Sequence, residues 1–402
     1  MTRISSAAVH NSAVATMMAQ TSALTKLQNQ IALGKRVNTP ADDPVASVHI
    51  MELQRTLKET EQYGTNSDMA NNRLNMEEDA LGSINTALTR VKELALQANN
   101  APVDDASRKQ IATEVRARLS ELIDISNLKD GNGEYLFGGF STQSQPFSQT
   151  GSSVTYTGDQ GSRLLQVGPT QKVADSDSGY KVFMDIAEGN GTFVAGAPAT
   201  NTGTASIGEG TVTDLSQWVP DDYIITFDNA AGHYQVFDSG TPPTAVSSGT
   251  YTEGSSISFN GVKLNVTGMP ANGDSLTVSR SRTEDVFSTL NKMINALDAA
   301  PTTDAGRAKF NSDMAQVLQQ LDQTQEHLSG VRASVGARMS TLDNATDLRE
   351  NQKVELQRAT SDLRDLDYPS AITKMNQQLT GLQAAQASYS RISQLSLFDY
   401  LR

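Results

Sequence analysis

The chain has 402 residues, a net charge of −13, no cysteine, a single tryptophan and only 5% aromatic residues. That length exceeds one ordinary domain, and the acidic balance lacks the clustered Lys and Arg that displace counterions from nucleic acid. The missing cysteines exclude disulfides, thiolate metal sites and thiol nucleophiles, while leaving the compartment open.

The first twenty residues hold no apolar run of signal-peptide length, and nowhere do 18 apolar residues run together, so neither a cleaved signal peptide nor membrane insertion is expected. From about Ile4 to Leu33 the sequence predicts a helix with a thin apolar stripe, Met17, Leu24 and Ile31 spaced by seven with Val14 and Leu27 beside them. Burying Met17, Leu24 and Ile31 gains about 1.5–3 kcal/mol each, far short of what ordering some thirty residues costs. The stripe therefore needs partners. Gly34, Asn38, Pro40, Asp42, Asp43 and Pro44 then read as a joint, Gly34 ending one helix and the Asp residues with Pro44 starting the next. Leu74, Leu81, Leu88 and Ala95 repeat by seven within a long helix expected from about Pro44 to Asn99. Ser107 is the expected cap of another helix, carrying Ile111, Val115, Leu119, Leu122 and Ile125 and packed antiparallel on the previous one.

From Tyr135 to about Ser281 short alternating runs between turn residues predict antiparallel strands. Tyr223–Phe227 and His233–Phe237 flank Asn229 to Gly232 as one hairpin, and Asn260-Gly261 marks a second. Residues 189–213, mostly Gly, Ala, Thr and Ser, read as a loose connection. Helix is expected again from Thr283 to Leu297 and from about Asp304 to Leu366. There Met314, Leu321, Leu328, Val335, Leu342, Arg349, Leu356 and Leu363 form a heptad stripe with one polar interruption. Asp367 to Ser370 form a second joint. A last helix places Ile372, Met375, Leu379, Leu382, Ala385, Tyr389 and Ile392 at threes and fours. The expected class is thus α+β, a coiled-coil or helical-bundle rod of long terminal helices with an inserted antiparallel β domain. Its segments are 1–43, 44–134, 135–282, 283–366 and 367–402. The first and last are expected to lack fixed order in an isolated chain. The assembly residues are the thin terminal stripes: Val14, Met17, Leu24, Leu27, Ile31, Ile372, Met375, Leu379, Leu382, Tyr389 and Ile392.

No catalytic or metal constellation emerges, and no cofactor is expected. The four histidines lie far apart with no HExxH pair. Asp130, Asn132 and Glu134 mimic the opening of a calcium loop, but Tyr135 stands where that loop needs Gly and Ser141 where it needs Glu. Asp42 and Asp43 suit the positive end of a helix dipole better than acid–base chemistry. Trp218 and Tyr223 read as β-domain core.

At the joint GKRVNTPADDPV (residues 34–45) and in both flanking ends the chain resembles the bacterial flagellin superfamily. GEYLFGG (133–139), GVKLNVTGMPANGDSLTV (261–278) and ISQLSLFDYL (392–401) are similar to its hook-associated members, so that the resemblance covers about half the chain. It implies a non-enzymatic junction between hook and filament, assembled as a ring of copies between hook-associated protein 1 and flagellin. It further implies type III export of an unfolded chain with a dedicated chaperone, and an extracellular place on the flagellum. A flagellin filament subunit is the nearest alternative; an adhesin or enzyme displayed on a flagellin-like scaffold is the more distant one.

Overall fold

The computed structural model describes residues 6–100, 104–228, 232–299 and 301–394. Its helices are α1 (Ser6–Leu33), α2 (Pro44–Ala98), α3 (Asp105–Ser126), α4 (Val286–Asp298), α5 (Asp304–Arg364) and α6 (Tyr368–Gln394). Between α3 and α4 lie the strands β1 (Phe147–Thr150), β2 (Ser153–Tyr156), β3 (Leu164–Gln166), β4 (Lys172–Ala174), β5 (Ile186–Ala187), β6 (Phe193–Gly196) and β7 (Ser206–Val212). They continue with β8 (Tyr223–Phe227), β9 (His233–Phe237), β10 (Ala245–Thr250), β11 (Ser256–Phe259), β12 (Val262–Thr267), β13 (Ser275–Arg280) and β14 (Thr283–Glu284). The class is α+β, long terminal helices around antiparallel strands. The chain divides into two compact units, residues 66–344 on the one hand and residues 1–65 with 345–402 on the other.

In the unit of residues 66–344 the heptad stripes are the core of a helical bundle. Leu74, Leu81, Leu88 and Ala95 of α2 are fully buried, as are Met314, Leu321 and Val335 of α5. Ion pairs lie on the flanks of this seam: Arg90 of α2 with Glu114 of α3 at 2.7 Å, Arg116 of α3 with Asp298 of α4, and Arg332 of α5 with Glu78 of α2. Asp104, rather than Ser107, caps α3, its carboxylate accepting from the Ser107 amide at 2.8 Å. The cap sits three positions ahead because an N-cap carboxylate reaches the N3 amide. Likewise α4 starts at Val286 under an Asp285 cap, and Thr283 belongs to β14 instead of the helix.

The β region holds a five-stranded antiparallel sheet, β10-β9-β8-β13-β6, and a three-stranded one, β11-β12-β7. Both contribute to one core, with Phe193, Ile225, Phe227, Val236, Ile257, Leu264, Leu276 and Val278 buried in it. Both expected hairpins are present, Asn260 and Gly261 turning β11 into β12 at φ 43° and 73°. Of the first hairpin's loop only Gly232 lies among the described residues. Residues 189–213 are not a loose connection. They supply β6 and β7, and Phe193, Ala195, Ala205 and Ile207 are buried. Small residues are required there: a Cβ on Gly210 would stand 2.5 Å from the Phe193 ring. Asp274 cages the adjoining turn by accepting from the Thr202, Gly203 and Ala271 amides at 2.8–2.9 Å.

Charged groups are buried where residues 175–178 meet α2 and α5. Arg73 reaches Asp130, Glu134 and Asp175, which accounts for the calcium-like run, its carboxylates engaged by a guanidinium and backbone amides. Glu77 is fully buried and accepts from the Asp177 amide at 3.1 Å, while Asp177 itself is held by Lys181 and Arg338. Burial first, and the Asp177 charge second, push the Glu77 carboxyl up to about 8.

Candidate assembly site at the chain ends

Residues 1–65 and 345–402 bring together two features read separately in the sequence, the joint after α1 and the break between α5 and α6. Gly34 takes φ 66°, which ends α1 in the left-handed conformation that glycine adopts without strain. The chain then runs antiparallel to the α5–α6 connection. Arg36 N donates to Arg364 O at 2.7 Å, Leu366 N donates to Gly34 O at 3.0 Å, and Lys35 bridges Asp365. The Arg36 guanidinium donates to Leu363 O at 2.6 Å, and the Gln30 amide donates to Arg36 O at 2.6 Å. The joint after α1 and the α5–α6 connection are therefore one hydrogen-bonded knot, made by residues 363–366, while Tyr368, Pro369 and Ser370 of the expected second joint already belong to α6.

Its acidic residues divide the work. Asp42 accepts from the Asn38 and Thr39 amides at 3.1 and 2.9 Å and from Lys26 of α1 at 2.9 Å. The Lys26 contact first, then the Thr39 amide, hold its carboxyl far below the ordinary range. Asp43 accepts from Ala46 N at 3.0 Å, the capping geometry expected of an acid ahead of Pro44. Pro40 lies in the turn that leads into Asp42. Val37, Ala46 and Ile50, with Leu363 against them, form a small apolar cluster beneath.

Beyond the knot α1 pairs with α6. On α1, Leu24 is buried and Val14, Met17, Leu27 and Ile31 are half-buried. On α6, Ala371 is buried, Met375, Leu379, Leu382, Ala385 and Tyr389 are half-buried, and Ile372 is 43% exposed. The side chain of Ile392, and residues 395–402, lie outside the described residues. Toward the open end the Tyr389 hydroxyl bonds the His10 ring, with ring centroids 5.3 Å apart. Gln20 and Gln378 also sit in this seam, and the Oε1 of each is buried without a hydrogen-bond partner. Beside them opens a cleft of about 490 Å3 lined by Ala23, Leu27, Gln377 and Gly381. Sequence reasoning missed Lys26, Arg36, Arg364, Gln20 and Gln378. The knot is made mostly of main-chain bonds, which leave no side-chain signature, and the glutamines hide among many others.

Among the described residues no group of three or more His, Cys, Asp or Glu could hold a metal ion, and no helix is long and apolar enough to cross a membrane. What this region offers is a surface: Met18, Leu33, Val45, Val48, Met51, Leu348, Val354 and Tyr368 all stand exposed in this unit.

Residues 4–142 match the bacterial flagellin N-terminal helical region and residues 318–401 the bacterial flagellin C-terminal helical region. Residues 197–280 match a domain described as flagellar hook-associated protein 1, D2-like. The chain is similar to flagellar hook-associated protein 3 of Salmonella typhimurium, 30% identical over 40% of this chain and 50% of that protein. The match thus spans about half the length of that curated relative. The crystal structure of Xanthomonas campestris FlgL is 36% identical, with a TM-score of 0.72 over 77% of this chain and 99% of the other. That of hook-associated protein 3 from Legionella pneumophila is 34% identical, with a TM-score of 0.74 over 78% and 98%.

Proposed function

Since the chain belongs to the flagellar hook-associated protein 3 (FlgL) family, we propose that it is a non-enzymatic structural component of the bacterial flagellum, forming the junction between hook and filament. It contacts hook-associated protein 1 on the hook side and flagellin on the filament side, as a ring of copies. It leaves the cell unfolded through the type III channel, escorted by a dedicated chaperone. Residues 44–134 and 283–366 act as its helical bundle, 135–282 as its inserted β domain, and 1–43 with 367–402 as the inner coiled-coil segments.

The observation that carries this reading is the α1–α6 pair: two helices whose shared seam holds only two buried apolar residues, Leu24 and Ala371, among the described residues. A seam so thin gains its order when neighbouring subunits add apolar contacts, which is folding coupled to binding. The likeness of residues 197–280 to a hook-associated protein 1 domain supports kinship with the hook-side partner. Deleting residues 372–402 is expected to abolish filament attachment while residues 66–344 stay folded. Electron microscopy of the mutant cells should show bare hooks with flagellin in the medium. Normal filaments would refute the junction, and purified chain growing into long filaments alone would favour a flagellin subunit instead.

A further inference from the structure

Away from the chain ends, the unit of residues 66–344 holds a cavity that a purely structural role leaves unused. A cleft of about 510 Å3 lies among α4, α5, β6 and β14, with Val194, Ala296, Phe310 and Val317 as its apolar lining. The last three of these are buried. Its walls are fixed from α5: Gln320 accepts from Gly189 N at 2.8 Å and donates to Ala187 O at 3.1 Å, and Gln316 donates to Ala195 O. A preformed, mostly apolar hollow of this size with a few charged groups is what small-molecule sites look like.

The charges of the cleft do not balance. Its two lysines are engaged: Lys309 donates to both carboxylate oxygens of Asp313 at 2.7 and 2.6 Å, and Lys292 pairs with Glu284. The third carboxylate, Glu188, is half-buried, and among the described residues no cation pairs with it. It also acts on its neighbour. The Glu284 side chain is only 10% exposed; burial first, and the Glu188 and Asp285 charges after it, raise its carboxyl against the pull of Lys292. An anion entering here meets an excess of carboxylate and no free ammonium, and a neutral molecule leaves the excess as it stands. A cation beside Glu188 removes it.

We propose that this cleft binds a free aliphatic amine, its ammonium held by Glu188 next to the Glu284–Lys292 pair and its hydrocarbon chain of about five carbons laid along Val194, Ala296, Phe310 and Val317. The carboxylate supplies a charge-assisted hydrogen bond and the apolar lining removes the chain from water. The site goes beyond the junction role and does not depend on it.

Isothermal titration of the purified full chain with pentylammonium chloride provides the test. A saturable one-to-one isotherm is expected, together with a raised thermal midpoint, since a ligand that binds only the folded state stabilises it. Propylammonium, shorter by two methylenes, should bind about tenfold more weakly, and pentanoate should not bind. Glu188→Gln, which removes a charge but no ion pair of the folded chain, should keep the wild-type circular dichroism and weaken pentylammonium about tenfold. Absence of saturation would overturn the proposal. So would equal affinity for the propyl and pentyl amines, which marks loose ion pairing at a surface, binding of pentanoate, or a Glu188→Gln variant that binds as wild type does. None of these outcomes bears on filament attachment, so the junction reading is judged separately, by the deletion of residues 372–402.

Discussion

Gly34 shows how much one position can carry. Its φ of 66° suits glycine, and an added Cβ would stand 2.8 Å from the Tyr368 hydroxyl, so a side chain there is strained twice over. Gly34→Ala is expected to destabilise the unit of the chain ends by about 1–2 kcal/mol, read as a lower urea midpoint. Adding Tyr368→Phe should recover only the steric part. Glu77 makes a prediction of opposite character. Its carboxyl rises from 4.5 to about 8 in the folded chain, so the native state holds a proton that the unfolded state releases. That contribution is complete below pH 4.5 and declines as pH rises toward 8. Glu77→Gln should flatten the decline and raise stability at pH 8, measured by denaturation across that range. The groups facing Glu77 (Asp177, Arg338 and Lys181) come from residues 175–184 and α5, so no sequence pattern on α2 announces it. Gly34, by contrast, was legible, because a glycine followed by Asn, Pro and Asp residues has few other uses.

At the scale of elements, periodicity told most where helices are long. The seven-residue spacing of α2 and α5 located their buried faces, since only one stripe of a long helix can reach a neighbour throughout. Caps were less legible: Asp104, Asp105 and Ser107 all qualify chemically, and the choice depends on where α3 begins. Asp104→Ala is expected to cost about 1 kcal/mol, visible as a lower thermal midpoint, whereas Ser107→Ala should cost less. The strands β6 and β7 escaped because glycine, alanine and threonine ordinarily signal flexibility. Here they leave room for Phe193 and Leu264 against Gly210, a packing reason that only the tertiary structure reveals. The polar interruption at Arg349 gains meaning in the same way. Leu342, before it, is buried, whereas Leu356 and Leu363, after it, are half-buried, and the division between the two units falls just ahead of it, at Ala345.

For the whole molecule, the two units differ in how much apolar surface they hide. Within residues 6–65 and 345–394, the buried apolar residues among those described are Leu24, Val37, Ala46, Ile50, Ala345 and Ala371, most of them small. Residues 66–344 hold the bundle stripes and the shared core of the two sheets. Local stability follows buried contacts. Amide exchange followed by mass spectrometry should therefore show α1 and α6 exchanging at least a hundredfold faster than α3 and β8 in the isolated chain, and slowing on assembly. Equal protection throughout would contradict it.

The knot has one more consequence. Arg36 and Leu363 are 327 positions apart, yet they clasp directly. Because its two sides lie near opposite ends of the sequence, the clasp cannot close until nearly the full polypeptide has been made. A product cut short by translation or proteolysis lacks the second strand of the clasp and carries an unanchored α1. Closure of the clasp thus separates chains that carry both segments from fragments that carry one, because only the former can join Arg36 to Leu363.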